Sequence, residues 1–426
     1  MTTTVSFPYG KTERTCTLET SELKAVITGS LKDYQAPLSQ AELVSHALAN
    51  PIGTQRLSEM AVGKKNITII TSDHTRPMPS RITMPLLLSE IRRGNPAADI
   101  SILVATGTHR SAASKDELLE RFGHEIISRE KIFIHDCDDR ESMAELGTSP
   151  SGNAIAINKL AYEADLLIAE GFIEPHFFAG FSGGRKSIMP GIASRASIMY
   201  NHCAPWIADP HSVMGTLEHN PIHEDMVYAA QKSGLACILN VVLNHKKEII
   251  SAYAGDMIKA HAAGTEFLSK LCCCPAVPAD IVIVSNGGAP LDQNIYQSVK
   301  GMATASRTCR KGGVIIIASQ CADGHGGEGF YRTFACEKDT QKIMDSIISR
   351  SPEDTVPDQW QSQILCGILL DHPVILVSDA PKKMVEDMHL IPADSIDEAV
   401  RLARSILGLP SPSITAVTDG PSVIIK

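Results

Sequence analysis

The chain has 426 residues, 43% of them hydrophobic and 20% charged, a balance that suits a globular protein and excludes a disordered one. Its length exceeds what one hydrophobic core usually holds, so two domains are expected. A net charge of −9 argues against a nucleic-acid or anionic-membrane surface, since both reward a basic face.

The first residues, MTTTVSFPYGKTERTCTLE, contain neither a basic leader nor an apolar signal core, and no later run reaches the apolar length of a membrane span. A cytoplasmic protein with no membrane partner is therefore expected. The cysteines form no C-x-x-C pair and no regular framework, so they read as reduced thiols. Cys272, Cys273 and Cys274, at a helix end before Pro275, read as packing residues, because adjacent side chains do not easily face one ion.

Ser39 and Glu42 form a capping box for a helix over 40–49, and the strand 67–71 (ITIIT) runs into SDHTRPMP. There Asp73 and Arg76 read as a pair before a helix, and Arg76 could offer a bidentate fork to a carboxylate or phosphate. A helix near 80–93 ends at Gly94, and the strand 99–105 runs into TGTHR. His109 in that turn is a general acid/base candidate or a turn histidine, with His74 as its rival. Ser114 and Glu117 cap a helix expected to close at Gly123. A strand at 131–135, a helix near 158–163 and a buried strand at 165–169 follow. Alternating βα units imply a mostly parallel sheet with right-handed crossovers, so the loops after three of these strands should converge on one edge.

The loop after the last of them, GFIEPHFFAGFSGGRKSIMPGIASRASIMYNH at 171–202, is the most informative stretch. Gly180, Gly183 and Gly184 permit close backbone approach, so Ser182, Gly183, Gly184 and Arg185 outline a phosphate cradle. It is not a Walker A loop, because Arg185 separates Gly184 from Lys186. Lys186 is either a solvated lysine or, beside Arg185 and apolar Phe181 and Ile188, an amine of lowered pKa able to attack an acyl or carbonyl carbon. His176 and His202 flank the loop. At EHNPIHED, His219 and His223 mimic a zinc pair, but Asn220 as N-cap and Pro221 in the first turn leave His219 outside the helix, and a zincin is rejected.

A hairpin from strand 236–243 through IISAYAG and a helix over 257–271 lead to CPAVPAD at 274–280, the best linker, which separates a domain 1–273 from a domain 274–409. Beyond it come a strand at 280–285, a turn at 286–288 and a helix near 293–309, on which Tyr296, Gln297 and Lys300 share a face. The strand 314–318 ends in SQCADGHGGEGF, read as a flexible lid. Trp360, a strand at 373–378 and a capping box at Ser395 and Glu398 complete this half.

The 171–202 segment, together with SDHTRPMP at 72–79, ATGTHR at 105–110 and SNGGAPLDQNIYQSVKG at 285–301, resembles the nickel-dependent lactate racemase family along nearly the whole chain. The resemblance implies two α/β domains with the active site in the cleft between them, and residues 410–426 returning to complete the first. It implies a nickel-pincer pyridinium mononucleotide bound covalently to Lys186 as a thioamide, with His202 as nickel ligand and Ser182, Gly183, Gly184, Arg185 and Asp73 at the cofactor. It also implies His109 and His176 as the catalytic acid/base pair, and Arg76, Gln297, Lys300, Tyr296 and Trp360 at the substrate. Partners would be a small 2-hydroxy acid and the proteins that make and deliver the cofactor.

Racemising a 2-hydroxy acid through a carbanion beside a carboxylate is hard at neutral pH. Removing a hydride avoids it, and since no side chain accepts hydride a cofactor is obligatory. Tyr296 and Trp360 resemble those of the lactate-using members of the family, which implies a small substrate such as lactate over malate, phenyllactate or an aldonate. A diffusible nicotinamide cofactor would need a G-x-G-x-x-G fingerprint, which is not found, and a non-catalytic phosphate-binding module would leave His109, His176 and Lys186 idle.

Overall fold

The computed structural model describes residues 1–109 and 114–426. Arg110 of the ATGTHR motif lies outside the described residues.

The first half is built on a six-stranded sheet in the spatial order Ile249–Gly255, Leu235–Leu243, Leu166–Ile173, Asn66–Ser72, Asp99–Ala105, Lys131–Ile134. Every neighbouring pair is parallel except the edge hairpin of Leu235–Leu243 with Ile249–Gly255. The central strands are continuous β-branched and aliphatic runs because both faces are covered. Leu166–Ile173 is buried at every position, which is what a parallel sheet between helix layers requires. Between Asn66–Ser72 and Leu166–Ile173 the strand order reverses: the chain runs outward to Lys131–Ile134 from one and to Leu235–Leu243 from the other. Loops leaving a reversal point diverge and open a crevice at the carboxyl ends, where ligands collect. Residues 73–76 and 174–186 are those loops.

The second half repeats the plan with a fully parallel sheet in the order Ile391–Ala393, Val374–Val377, Cys309–Ala318, Ala279–Ser285, Ile414–Val417, Leu23–Ile27. Its reversal point lies beside Ala279–Ser285, ahead of the helix Ile295–Ser306. Two α/β units with parallel-rich sheets are therefore present as read from the sequence, but the chain is divided between them differently. Ile414–Val417 is a core strand of the second sheet, and Leu23–Ile27 is its edge. The hairpin Thr2–Tyr9 with Thr12–Glu19 buries Val5, Phe7, Cys16 and Leu18 against Ile281, Ile283 and Ile316 of that same sheet. Only Ile424–Ile425 leaves it, pairing with Cys273–Cys274 at the linker. An apolar run states that it will be buried and not in which sheet; here pairing on both sides decides for the second.

Two further expectations are corrected. The helix capped by Ser114 runs Lys115–Arg129 past Gly123, which breaks helical geometry locally at φ 80 while the chain resumes the helix beyond it. The Gly-rich segment after Cys309–Ala318 is pinned and is no lid. Its Gly324 and His325 carbonyls accept the Ile295 and Tyr296 N–H groups at 3.0 and 3.2 Å, which fixes the start of the helix Ile295–Ser306. Among the described residues no helix is long and apolar enough to cross a membrane.

Candidate active site

The strand Leu166–Ile173 feeds a loop that folds back on itself, Pro175–His176 pairing with Gly180–Phe181, and then a short turn, Gly184–Ser187, that presents Lys186. Ser182 closes the base: its hydroxyl donates to the Phe172 carbonyl at 2.9 Å and accepts the Glu174 N–H at 2.8 Å. The Ser182 N–H goes to the Glu174 carbonyl, that of Gly184 to Asn240 Oδ1 at 2.7 Å, and that of Lys186 to the Gly183 carbonyl. These three donors are engaged within the protein, and together they hold Lys186 in one place. Gly183 carries the demand: φ is 79° and a Cβ there would meet Asn240 Oδ1 at 2.7 Å. Arg185 is buried and donates to the Ala179 carbonyl at 2.7 Å, so it struts the loop. His261, from the helix Lys259–Cys272, ties the loop from below with Nε2 to the Ser182 carbonyl at 2.8 Å. Burial first and the Arg185 charge second push its imidazole down to about 3.

Lys186 Nζ stands 3.2 Å from His176 Nε2, and His176 Nδ1 accepts the Ala179 N–H at 3.2 Å. A neutral imidazole has one N–H. With Nδ1 accepting, that proton is on Nε2, so Lys186 accepts and is a neutral amine. The surroundings agree: burial, then the Arg185 and Arg76 charges, hold Lys186 well below the usual lysine range, against Glu174 alone. Burial and Lys186 likewise hold His176 well below neutral pH values. Phe178 is the hub, its ring 4.6 Å from His176, 5.2 Å from His202 and 5.8 Å from Lys186 Nζ.

His202 caps the helix Arg195–Asn201 and is buried. Its Nδ1 donates to the Ile198 carbonyl at 3.0 Å, which leaves Nε2 with a free lone pair, and burial pushes the ring down to about 3. A neutral imidazole with one nitrogen held by a backbone carbonyl is the form that ligates metal.

On the other side of the reversal point, Asp73 Oδ2 is 2.8 Å from His109 Nδ1, and Thr75 donates to Asp73 Oδ1 at 2.7 Å. Burial opposes ionisation of Asp73, but the His109 and Thr75 hydrogen bonds prevail and hold it below the usual carboxylate range. Because a carboxylate only accepts, His109 keeps its proton on Nδ1 and offers the Nε2 lone pair. Asp73 is thus engaged with His109 and Thr75. Two residues outside the motifs support this loop. Arg121 donates to the Ser72 carbonyl and to that of Arg76 at 2.9 Å. Glu170 is buried and accepts from the hydroxyls of Thr71, Ser80 and Thr83 at 2.6, 2.5 and 2.6 Å. No sequence signal marks Arg121, whereas a lone acid in the apolar strand Leu166–Ile173 is a visible anomaly.

The second half contributes Trp360, whose ring lies 4.8 Å from that of His202, held there as Gln363 of the same helix donates to the Ala204 carbonyl at 2.8 Å. Lys300 is pushed down to about 8 by burial, with Glu174 favouring its charge and Arg76 opposing it; its own charge in turn depresses His176. Tyr296 packs on Phe330, and burial followed by Asp358 raises its phenol. Gln297 follows Tyr296 on the same helix, half-buried. Side chains from both halves, and from sequence positions 73 to 360, are therefore gathered at the carboxyl ends of the sheets.

Residues 9–215 match the family model described as lactate racemase N-terminal domain, and residues 274–425 that of the lactate racemase C-terminal domain. The chain is 52% identical to a lactate racemase of Thermoanaerobacterium thermosaccharolyticum and 47% identical to one of Lactiplantibacillus plantarum, in each case over 99% of both chains. The solved structure of the T. thermosaccharolyticum lactate racemase apoprotein superimposes with a TM-score of 0.96 over 100% of both chains. A Thermotoga maritima protein, 19% identical with a TM-score of 0.65 over 92% of this chain and 100% of its own, shares the fold alone.

Proposed function

Since the chain belongs to the lactate racemase family and is an isomerase, we propose that it interconverts the D and L forms of lactate through the planar 2-keto acid. The observation that carries this reading is the neutral Lys186 amine beside a buried His202 whose Nε2 is free, both around Phe178. These are the two attachments that a lysine-tethered nickel-pincer nucleotide needs, an acylable amine and an imidazole donor, and the residues present fit it. When bound, that group would supply the acceptor that takes the C2 hydrogen with its electron pair and returns it.

The remaining work falls to the chain. His109, with Nδ1 committed to Asp73, removes the hydroxyl proton at Nε2. His176 serves the opposite enantiomer, the two imidazoles alternating as base and acid, and the resting tautomers favour His109 as the first base. Arg76 and Lys300 hold the carboxylate and the keto oxygen, assisted by Gln297. Tyr296 and Trp360 limit the side chain to about a methyl group, where one added methylene changes selectivity by roughly 10 to 200-fold. The active site lies between the two halves, with residues from each. Since the Ser182 and Gly184 N–H groups are already bonded within the protein, the loop acts first by placing Lys186, and the cofactor phosphate needs donors besides these two.

The test is loss of optical rotation with a panel of pure 2-hydroxy acids, using chain produced together with the cofactor-synthesis proteins. Lactate is expected to racemise fastest, with an adduct on Lys186 by intact mass. His202→Ala is expected to keep the adduct and lose nickel by metal analysis. An unmodified yet active protein would remove the reading, as would an adduct-bearing protein inert toward every acid tried.

A further inference from the structure

Holding a lysine neutral inside a protein needs a reason, and tethering alone gives none, because an amide forms at a surface lysine too when a transferase activates it. We infer that the chain is its own acyltransferase: His176 and Lys186 form an acyl-acceptor site that reacts with an activated acyl donor bearing an anionic leaving group, such as an acyl phosphate, without a separate transferring enzyme. The inference rests on the reading of Lys186 as the tether.

Three features carry it. The Ala179 N–H fixes His176 with its proton on Nε2, so the hydrogen bond at 3.2 Å keeps the lysine lone pair unprotonated. The loop around it is closed by Ser182, Gly184, Arg185 and His261, so Lys186 is presented in one place and does not search. The groups whose charge acts on Lys186 are Arg185, Arg76 and Lys300, with Glu174 as the one acid, so a departing anion meets a net positive field. In the step, the Nζ lone pair leaves His176 and forms the N–C bond to the acyl carbon. The bond from that carbon to the phosphate oxygen breaks, phosphate departs with the electron pair, and the surplus proton on nitrogen leaves with it. No oxidant or reductant is required. Neither an amide nor a thioamide has a basic lone pair on nitrogen, so His176 is released from Lys186 when the tether forms and becomes available for the substrate. Loading the site and arming its second imidazole are one event.

The experiment uses the full chain produced without cofactor-synthesis proteins, exposed to acetyl phosphate at pH 7, with acetylation of each lysine followed by peptide mass spectrometry. A solvated lysine is only about a thousandth neutral at this pH. Lys186 is expected to react at least about 10-fold faster than Lys270, an exposed lysine on the helix Lys259–Cys272. His176→Phe, which leaves the burial and the neighbouring charges in place, should slow Lys186 measurably without bringing it down to the Lys270 rate, while His176→Gln, which restores an N–H donor, should recover part of the difference. The Lys270 rate and the melting temperature report whether each variant is folded. Equal rates at Lys186 and Lys270 in the unaltered chain would overturn the inference, as would a Lys186 rate unchanged in a folded His176→Phe. Racemisation by loaded protein without selective acetylation would sink this inference and leave the racemase reading standing; selective acetylation without racemisation would do the reverse.

Discussion

Two loops leave neighbouring parallel strands at the same reversal point, and they hold their working side chains by opposite means. The 73–76 loop, with His109 beside it, uses a carboxylate: Asp73 fixes the imidazole, whose side chain stays 40% exposed. The 174–202 loop uses backbone. His176 and His202 are each held through Nδ1 by a main-chain group, Lys186 is held by His176, and no acid pairs with any of the three among the described residues. A carboxylate orients the ring it holds and fixes its tautomer, whereas His176 and His202 are kept neutral by burial, with the backbone contact fixing which nitrogen carries the proton. On the proposed reading, the first loop exchanges a proton with a substrate that comes and goes, and the second keeps one group in place.

The comparison breaks most completely at Lys186. Lys186→Ala is expected to take racemisation to background with the fold intact, because it removes the amine to which the cofactor would be tethered; turnover by this variant, measured by chiral chromatography, would show that the second loop does not hold the reacting group. In the first loop the loss should be graded. Asp73→Asn leaves a hydrogen-bonding shape but allows the wrong imidazole tautomer, and a loss of roughly 10²–10⁴ in kcat is expected. His109→Ala should lose about as much, and the double variant little more than either, since the two act as one unit. If Asp73→Asn instead raised KM alone, Asp73 would serve binding and not the base.

A third test sharpens the structural side of the contrast. Gly183→Ala puts a Cβ 2.7 Å from Asn240 Oδ1 and 3.0 Å from the Phe172 carbonyl at a φ of 79°. The strain is about 1–3 kcal/mol, and because the loop places Lys186, acetylation or cofactor loading at that lysine should fall along with stability. The exposed Gly63, also at positive φ but with nothing within 4 Å, serves as the control. There the same change should cost less and leave loading untouched.

How far these loops could be read in advance follows the same division. The 171–202 segment identified itself: glycines, two histidines and a lysine in one run after a buried strand are a local signal, and the parallel first sheet follows from strands and capped helices in alternation. What the sequence hid was partnership across distance. His261 and Asn240, which lock the loop, lie 79 and 56 positions from the groups they hold, and nothing in a helical histidine or a strand asparagine announces a target. Arg121 was silent for the same reason. The division of the chain was misread because Ile414–Val417 and Leu23–Ile27 are short apolar strands whose sheet is chosen by pairing on each side, a choice that composition does not record. The partners of the Ser182 and Gly184 N–H groups were hidden because glycines state what a backbone may do and not which acceptors its N–H groups will find.

The smallest expected effect concerns pH, and it separates the two loops without any chemistry. His261, under the second loop, is held down to about 3 in the folded chain and titrates near 6.5 when unfolded. Between those values the unfolded chain binds a proton that the folded chain refuses. The stability is therefore complete above about pH 6.5 and falls as pH drops toward 3, by at most about 1.4 kcal/mol per pH unit for this one group. Asp73, in the first loop, is held below its ordinary range near 3.9, so its contribution is present above that value and is lost only as pH falls through the lower folded one. Between pH 6.5 and 4.5 acid should weaken the second loop and spare the first. Melting of the unloaded chain followed at pH 7 and pH 5 should show a drop of a few degrees that shrinks in His261→Gln and is unchanged in Asp73→Asn. Equal drops in all three proteins would mean that the lysine-bearing loop is not held by a neutral histidine, and the difference drawn between the two loops would fail at its physical root.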